Sequence, residues 1–227
     1  MKNRYFGIFV GLTLLLGGCG KPEEVLHFRT RELTLEEIRA SGYDRETEIP
    51  LGPEYSNLER QSGAEVINSL ASIAKIITLK GDEEVEATLL AQGLPQGADV
   101  MSLLGGKTDS KVYEKKLESS IFSTDLVSIT YKISYVYGAS YKGKGRYLAN
   151  VVFKPLKVRV DPAWSFKAST LSEPALNVGT AAKPVAQVSF SLKFSASGIL
   201  SGSAAALDEF ELNAESGNLK AEIRDLD

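Results

Sequence analysis

The sequence has very few of the side chains on which metal and nucleophilic sites depend. Its 227 residues include one cysteine, Cys19, and one histidine, His27. A single cysteine cannot form a disulfide within the chain, and zinc sites built from several Cys and His ligands are excluded. A catalytic imidazole must be held by a third group, whereas His27 lies in a segment without hydrophobic periodicity. We therefore expect no metal, no cofactor and no enzyme activity.

An excess of charge of one sign is also lacking. The chain has 26 Lys and Arg residues against 29 Asp and Glu residues, a net charge of −3. Proteins that bind nucleic acid depend on Lys and Arg to neutralise phosphates, and no broad basic stripe is visible, so we expect no nucleic-acid partner. The 43% of hydrophobic residues is enough for the core of one globular domain.

No hydrophobic run is long enough to cross a bilayer as a helix, but one short run opens the chain. Residues 1–4 carry Lys2 and Arg4, and the following residues 5–16 are uncharged and mostly apolar. About a dozen apolar residues is the length of a secretion-signal core, whereas a membrane-spanning helix needs about 20. The run ends in Leu16–Gly17–Gly18–Cys19.

These first nineteen residues resemble the signal and lipobox of bacterial lipoproteins. The resemblance implies that residues 1–18 are a signal peptide and that the Cys19 thiol receives diacylglycerol and becomes the first mature residue. Several acyl chains anchor firmly, since each buried CH₂ contributes about 0.8 kcal/mol. Gly20 stands where an Asp would resemble an inner-membrane retention signal, which favours the outer membrane of the cell envelope. The expected partner is thus a membrane, bound through the lipid on Cys19.

The N-terminal half of the mature chain is predicted to be mainly helix and loop. Residues 19–33 are expected to form a tether. Thr34 and Glu37 fit a capping box before a short helix over Leu35–Ser41. Apolar spacing between a second capping box at Ser62 and Gly81 predicts a longer amphipathic helix. The pattern over 82–108 fits a strand or a helix equally, and 111–119 is expected to be another short helix.

From Thr124 onward, apolar and polar residues alternate as in half-buried strands. Turn signals follow at 142–145, 161–162 and 216–218. The predicted fold class is α+β, in which a helical N-terminal part (34–123) packs on a C-terminal antiparallel meander of six to eight strands (124–227). Together they form a single domain over 34–227, with the sheet arranged as a sandwich or as a partly closed barrel.

Tyrosines on one face of this predicted sheet are the candidate ligand or partner site. They are Tyr131, Tyr135, Tyr137, Tyr141 and Tyr147. Buried aromatic rings often form core with their phenol oxygens at its rim, and this alternative stays open beside a groove for an apolar or sugar ligand or a docking face. The basic turn of Lys142, Lys144 and Arg146 is expected to be a solvated hairpin tip or a contact for anionic headgroups.

The favoured function is a membrane-anchored, non-enzymatic binding or structural module for an envelope protein, glycan or lipid. One alternative is a carrier that folds its sheet around an apolar molecule. The other is a hydrolase of envelope polymers that uses carboxylates alone, which requires two acids at a set separation. The acids that could form such a pair are Asp161, Glu173, Asp208, Glu209 and Glu211. Their spacing favours no pair, and we expect each of them to be a solvated surface charge.

Overall fold

The protein is a two-sheet β-structure in which strands predominate from its first described residue. The structure, a computed structural model, describes residues 25–43, 75–79, 87–120, 125–199 and 202–226. The strands are β1 Leu26–Glu32, β2 Lys75–Leu79, β3 Thr88–Gly93, β4 Leu103–Leu104, β5 Lys107–Ser119, β6 Asp125–Tyr137, β7 Ala139–Tyr141, β8 Lys144–Val160, β9 Trp164–Ser172, β10 Leu176–Asn177, β11 Ala186–Gly198, β12 Ser203–Asn213 and β13 Leu219–Leu226. The helix α1 covers Leu35–Ser41, and Val100–Ser102 forms one 3₁₀ turn.

All strand pairs between these elements are antiparallel, and they form two sheets. The seven-stranded sheet has the order β1-β5-β6-β8-β7-β4, with β3 on the free side of β8. The six-stranded sheet has the order β13-β12-β11-β9-β2, with β10 paired to β11. Ring contacts such as Tyr131–Phe194 and Tyr113–Phe210 join the two sheets, so the sheets pack face to face around one core.

The core follows from the period of two that a strand imposes on its side chains. Along the central strands β6 and β11, the buried residues that alternate toward the opposite sheet are Val127, Ile129, Tyr131, Ile133, Tyr135, Val188, Phe190, Leu192, Phe194 and Ala196. Serines and other polar residues occupy the intervening positions of β11 and face outward. The alternation that the sequence shows from residue 124 onward is confirmed.

Two of the predicted turns show why the strands reverse where they do. Lys142 and Gly143 both have positive φ, +50° and +73°, which is the requirement of the tight hairpin turn that matches strand twist. At the other turn, Asp161 Oδ1 accepts the Ala163 N–H at 2.9 Å, and the Trp164 N–H donates to the Asp161 carbonyl at 2.8 Å.

The short first helix is confirmed at the predicted boundaries. The Thr34 hydroxyl accepts the Glu37 N–H, and the Glu37 carboxylate accepts the Thr34 N–H at 2.8 Å. Gly42 closes the last turn by donating to the Arg39 carbonyl. Reciprocal caps of this kind stabilise the otherwise unpaired first turn of a helix.

The predicted α+β class is wrong, because no helical part packs on a separate meander. The N-terminal half supplies five strands to the two sheets, and α1 is the one α-helix among the described residues. Residues 111–119, expected to be a helix, belong to β5, where Tyr113, Lys115 and Leu117 alternate inward. Residues 88–93, which were ambiguous, form β3.

Two further expectations in the N-terminal half need correction. Residues 26–32 were assigned to the tether, but they form β1, which pairs with β5 over its whole length. The second helix was placed between Ser62 and Gly81; its residues 62–74, 80 and 81 lie outside the described residues, and 75–79 form β2. The β-branched Ile76, Ile77 and Thr78 favour a strand there.

Candidate functional site

The most unusual feature of the core is a charged pair that joins the two sheets. Lys115 on β5 and Asp208 on β12 approach to 2.9 Å between Nζ and Oδ1, and both side chains are 0% exposed. The Tyr131 hydroxyl donates to the second carboxylate oxygen, Oδ2, at 2.9 Å. Strand alternation places these polar groups inside, because Lys115 is in phase with Tyr113 and Asp208 is in phase with Phe210.

Aromatic rings enclose the Lys115 ammonium. Its Nζ lies 5.1 Å from the centre of the Phe194 ring and 5.4 Å from that of Phe28, within the range of a cation–π attraction. The Tyr131 ring stacks on Tyr113 at 5.5 Å. The Nζ–Oδ1 contact is an ion pair within hydrogen-bonding distance, so the Asp208 charge and the ring faces together stabilise the ammonium.

Burial shifts the ionisation of all three groups. It lowers the pKa of Lys115, and the neighbouring Asp208 carboxylate opposes that shift. It raises the pKa of Asp208, against the opposing effects of Lys115 and of the Tyr131 hydrogen bond. Burial and the nearby Asp208 raise the pKa of Tyr131, which keeps its proton for that bond. A cluster without solvent access holds the sheets together and offers no opening to a substrate.

The tyrosines predicted to form a ligand or partner face all pack on this same core. Tyr131, Tyr135 and Tyr147 are buried, whereas Tyr137 and Tyr141 are partly buried at its margin. The Tyr135 and Tyr137 rings lie 6.2 Å apart. The ligand or partner role of the five residues stays a prediction, and Tyr137 and Tyr141 are the members of the set with more accessible surface.

The turn between β12 and β13 depends on the tyrosines beneath it. The Tyr135 hydroxyl lies 3.0 Å from the Gly217 carbonyl and 3.3 Å from Asp109 Oδ2, either of which can accept its proton. Gly217 has φ +67°, and a Cβ there would lie 2.5 Å from the Tyr137 ring. The predicted turn at 216–218 is confirmed, and its central glycine is required by both backbone conformation and space.

The outer face of the six-stranded sheet carries two shallow grooves lined by serines and by charged side chains. The charged residues are Glu173, Glu209, Glu211, Lys220, Glu222 and Arg224 in one groove, and Lys167 and Lys193 in the other. Ser189 and Ser191 line one groove, and Ser165, Ser195 and Ser197 line the other. Ser165 and Ser197 hydrogen-bond to each other across β9 and β11 at 2.7 Å between their Oγ atoms. This surface offers hydroxyl groups and charges of both signs, a chemistry suited to polar contacts.

Of the remaining sequence candidates, Glu173, Glu209 and Glu211 line the same groove on the outer face of the six-stranded sheet. His27 lies on β1, 3.5 Å from Glu118, and no group of three metal-ligating side chains occurs within the described residues. Glu209 and Glu211 pair with Arg224 and Lys220 on the sheet surface. Asp208, expected to be a solvated charge, is instead buried in the core.

The alternation of inward and outward residues along a strand was the sequence signal that could have revealed the Lys115–Asp208 pair. Asp208 lies two residues from Ala206 and from Phe210, on the face of β12 that is buried. Lys115 has the same relation to Tyr113 and Leu117, but the helical reading of 111–119 concealed it. A charged residue in phase with apolar neighbours on a strand indicates a buried, paired group.

Cys19, the predicted lipid attachment site, lies outside the described residues. Within the part of the chain that is described, no helix is long and apolar enough to cross a membrane. Comparison of the whole sequence and fold with protein families, with curated proteins and with solved structures found no match.

Proposed function

We propose that this chain is a lipid-anchored protein of the bacterial cell envelope, and that its β-sandwich is a non-enzymatic binding or structural module. The observation that carries the proposal is Leu16–Gly17–Gly18–Cys19, which follows an uncharged apolar segment and contains the only cysteine of the chain. The envelope partner is a protein, a glycan or a lipid, and the membrane is the outer one.

The packing between the sheets supports a module without an active site. The carboxyl group with a raised pKa that a hydrolase would use is that of Asp208, yet its side chain is enclosed beside Lys115 and Tyr131. The surface acids Glu209 and Glu211 are engaged by basic neighbours. A glycosidase needs two acids at a set separation in one substrate cleft. Glu173, Glu209 and Glu211 do line one shallow groove, but two of these three carboxylates are held in salt bridges.

The carrier alternative has less support than the binding module. It would require an apolar cavity beside the tyrosine face. Tyr131 instead contacts Phe153 and Phe194 at ring distances of 5.3 and 5.6 Å, so its neighbourhood is filled by side chains of the protein itself.

Substitution of the lipid attachment residue tests the anchor. In a Gram-negative host, Cys19→Ser should stop acylation, leave the precursor uncut and remove the mature protein from the membrane fraction. Gly20→Asp is the matched control, because it should keep acylation and cleavage while moving the protein to the inner membrane. Normal processing and membrane recovery of Cys19→Ser would contradict the proposal.

A further inference from the structure

The distance from the anchor to the folded domain is short. Val25, the first described residue, is six residues after Cys19. A fully extended chain spans at most about 3.6 Å per residue, so Val25 must lie within about 22 Å of the acylated cysteine. The part of the sandwich around Val25 is therefore held close to the bilayer whenever the chain is acylated.

Hydrogen bonds show which end of the sandwich surrounds Val25. Its N–H donates to Ser120 Oγ at 3.0 Å, and its carbonyl accepts the Ser120 N–H at 3.0 Å. Its neighbour Leu26 lies beside Gly202, where an added Cβ would be 3.5 Å from Leu26 Cδ1. The turn after β11 is thus at the same end.

The turn between β8 and β9 completes this end of the molecule. The Ile199 N–H donates to the Ala163 carbonyl at 3.0 Å. We call the surface formed by Val25, Pro162, Ala163, Trp164 and Ile199 the anchor end.

The anchor end is apolar at its tips. Ile199 is 78% exposed and Val25 is 57% exposed, and Pro162 and Ala163 are also exposed. Two acids at this end have polar partners, since Asp161 accepts the Ala163 N–H and Asp125 pairs with Lys116 at 2.7 Å. Trp164 is partly buried against the core, and tryptophan is enriched where proteins meet the headgroup region of a bilayer.

The opposite end of the sandwich carries different chemistry. Strand β6 has 13 residues between the two ends, which at about 3.4 Å per residue separates them by about 40 Å. Leu104 and the basic turn at Lys142 lie at the far end, since β4 pairs with β7 beside that turn. A sandwich that stands on its anchor end keeps this basic turn away from the anchoring membrane.

We propose that the anchor end is a membrane-contact surface, with Ile199 and the Pro162–Ala163 turn resting in the lipid headgroup region. The inference rests on the proposed acylation of Cys19, which brings this end to the bilayer. Contact by the tips then fixes the orientation of the sandwich, so that its far end and the outer face of the six-stranded sheet are presented to the periplasmic or external side.

Trp164 makes the proposal directly measurable, because it is the only tryptophan in the chain. The acylated protein is reconstituted into vesicles of phosphatidylethanolamine and phosphatidylglycerol, with and without brominated acyl chains. The fluorescence emission of Trp164 should shift to the blue on reconstitution, and brominated lipid should quench most of that emission. Ile199→Asp should restore much of that emission, whereas the matched far-end variant Leu104→Asp should behave as the wild type.

Three results separate the inference from the proposed function. Vesicle flotation without quenching of Trp164 would overturn the membrane contact and leave the anchor intact. Equal quenching of wild type and Ile199→Asp, with unchanged circular dichroism, would remove Ile199 from the contact and overturn the proposal as stated. A chain without acyl mass that fails to float would overturn both.

Discussion

Removal of the Lys115 ammonium is the most informative perturbation of the core. In the wild type, Lys115 Nζ lies 2.9 Å from Asp208 Oδ1. Lys115→Met puts an unbranched apolar side chain in that place and leaves Asp208 enclosed without its cation. Breaking a fully buried pair on one side costs about 3–5 kcal/mol, because the remaining group must either keep an uncompensated buried charge or take up a proton. For a domain of this size, each kcal/mol shifts Tm by about 2–4 °C, so we expect a fall of roughly 6–20 °C.

The stability that Lys115→Met loses should also depend on pH, and the loss should be smaller at low pH. Burial already raises the pKa of Asp208, and the positive charge of Lys115 is the strongest influence that opposes this shift. Without the lysine, folded Asp208 binds a proton that the unfolded chain releases above about pH 3.9. The contribution of Asp208 to the stability of Lys115→Met should therefore be greatest at low pH and fall as the pH rises, so the deficit of this variant against the wild type should be smaller at pH 5 than at pH 8.

Thermal and urea unfolding measure both effects. Lys220→Met is the control, because Lys220 pairs with Glu211 at 3.2 Å on the surface and is 70% exposed; such pairs contribute at most about 1 kcal/mol. The double variant Lys115→Met/Asp208→Leu should lose less than the sum of the two single changes. A cost of Lys115→Met no greater than that of Lys220→Met would refute the account of the core.

Three further predictions concern local contacts. Tyr131→Phe removes the hydroxyl that donates to Asp208 Oδ2 and should cost about 1.5–3 kcal/mol in urea unfolding; an unchanged midpoint would show that this bond contributes nothing. Gly217→Ala should destabilise more than Gly143→Ala, since both have positive φ but only Gly217 lies against Tyr137; equal melting temperatures would contradict the crowding. The Arg31 guanidinium and the capping bonds of Thr34 lower the pKa of Glu37 to about 2. The helix cap is thus complete above about pH 4.5 and is lost as the pH falls toward 2, and a carboxyl titration by NMR with an ordinary midpoint would exclude the pairing.

The sequence predicted the individual C-terminal strands well because their signals are local, but it did not predict how they divide between two sheets. Alternation along β6 and β11 and the positive-φ turn at Lys142–Gly143 depend on neighbouring residues alone. The capping box of α1 is equally local, and its boundaries were correct. These patterns specify one conformation without reference to the rest of the chain.

The N-terminal half could not be assigned in the same way, because its strands depend on distant partners. β1 pairs with β5, more than 80 residues later in the chain, and its charged, weakly alternating sequence does not reveal that pairing. Segment 111–119 contains three lysines and two glutamates, residues that favour helices when considered alone. Sheet pairing overrides this propensity and places Lys115 inside the core.

The candidate sites also differ in whether neighbouring residues alone are enough to identify them. Cys19 is identified by contiguous residues, whereas the Lys115–Asp208 pair forms only when two strands from different sheets meet. The tyrosine face was located on the correct strand, but alternation alone does not tell whether an aromatic face meets a ligand or an opposing sheet. Phe194 and Phe210 of the second sheet occupy the space over Tyr131 and Tyr113.

The most direct test of the account is the mass of the mature protein purified from its native membrane. We predict an N-terminus at Cys19 that carries acyl chains, with residues 1–18 absent. An N-terminus at any other residue, or a Cys19 without added mass, would contradict the lipid anchor and with it the orientation of the sandwich at the membrane.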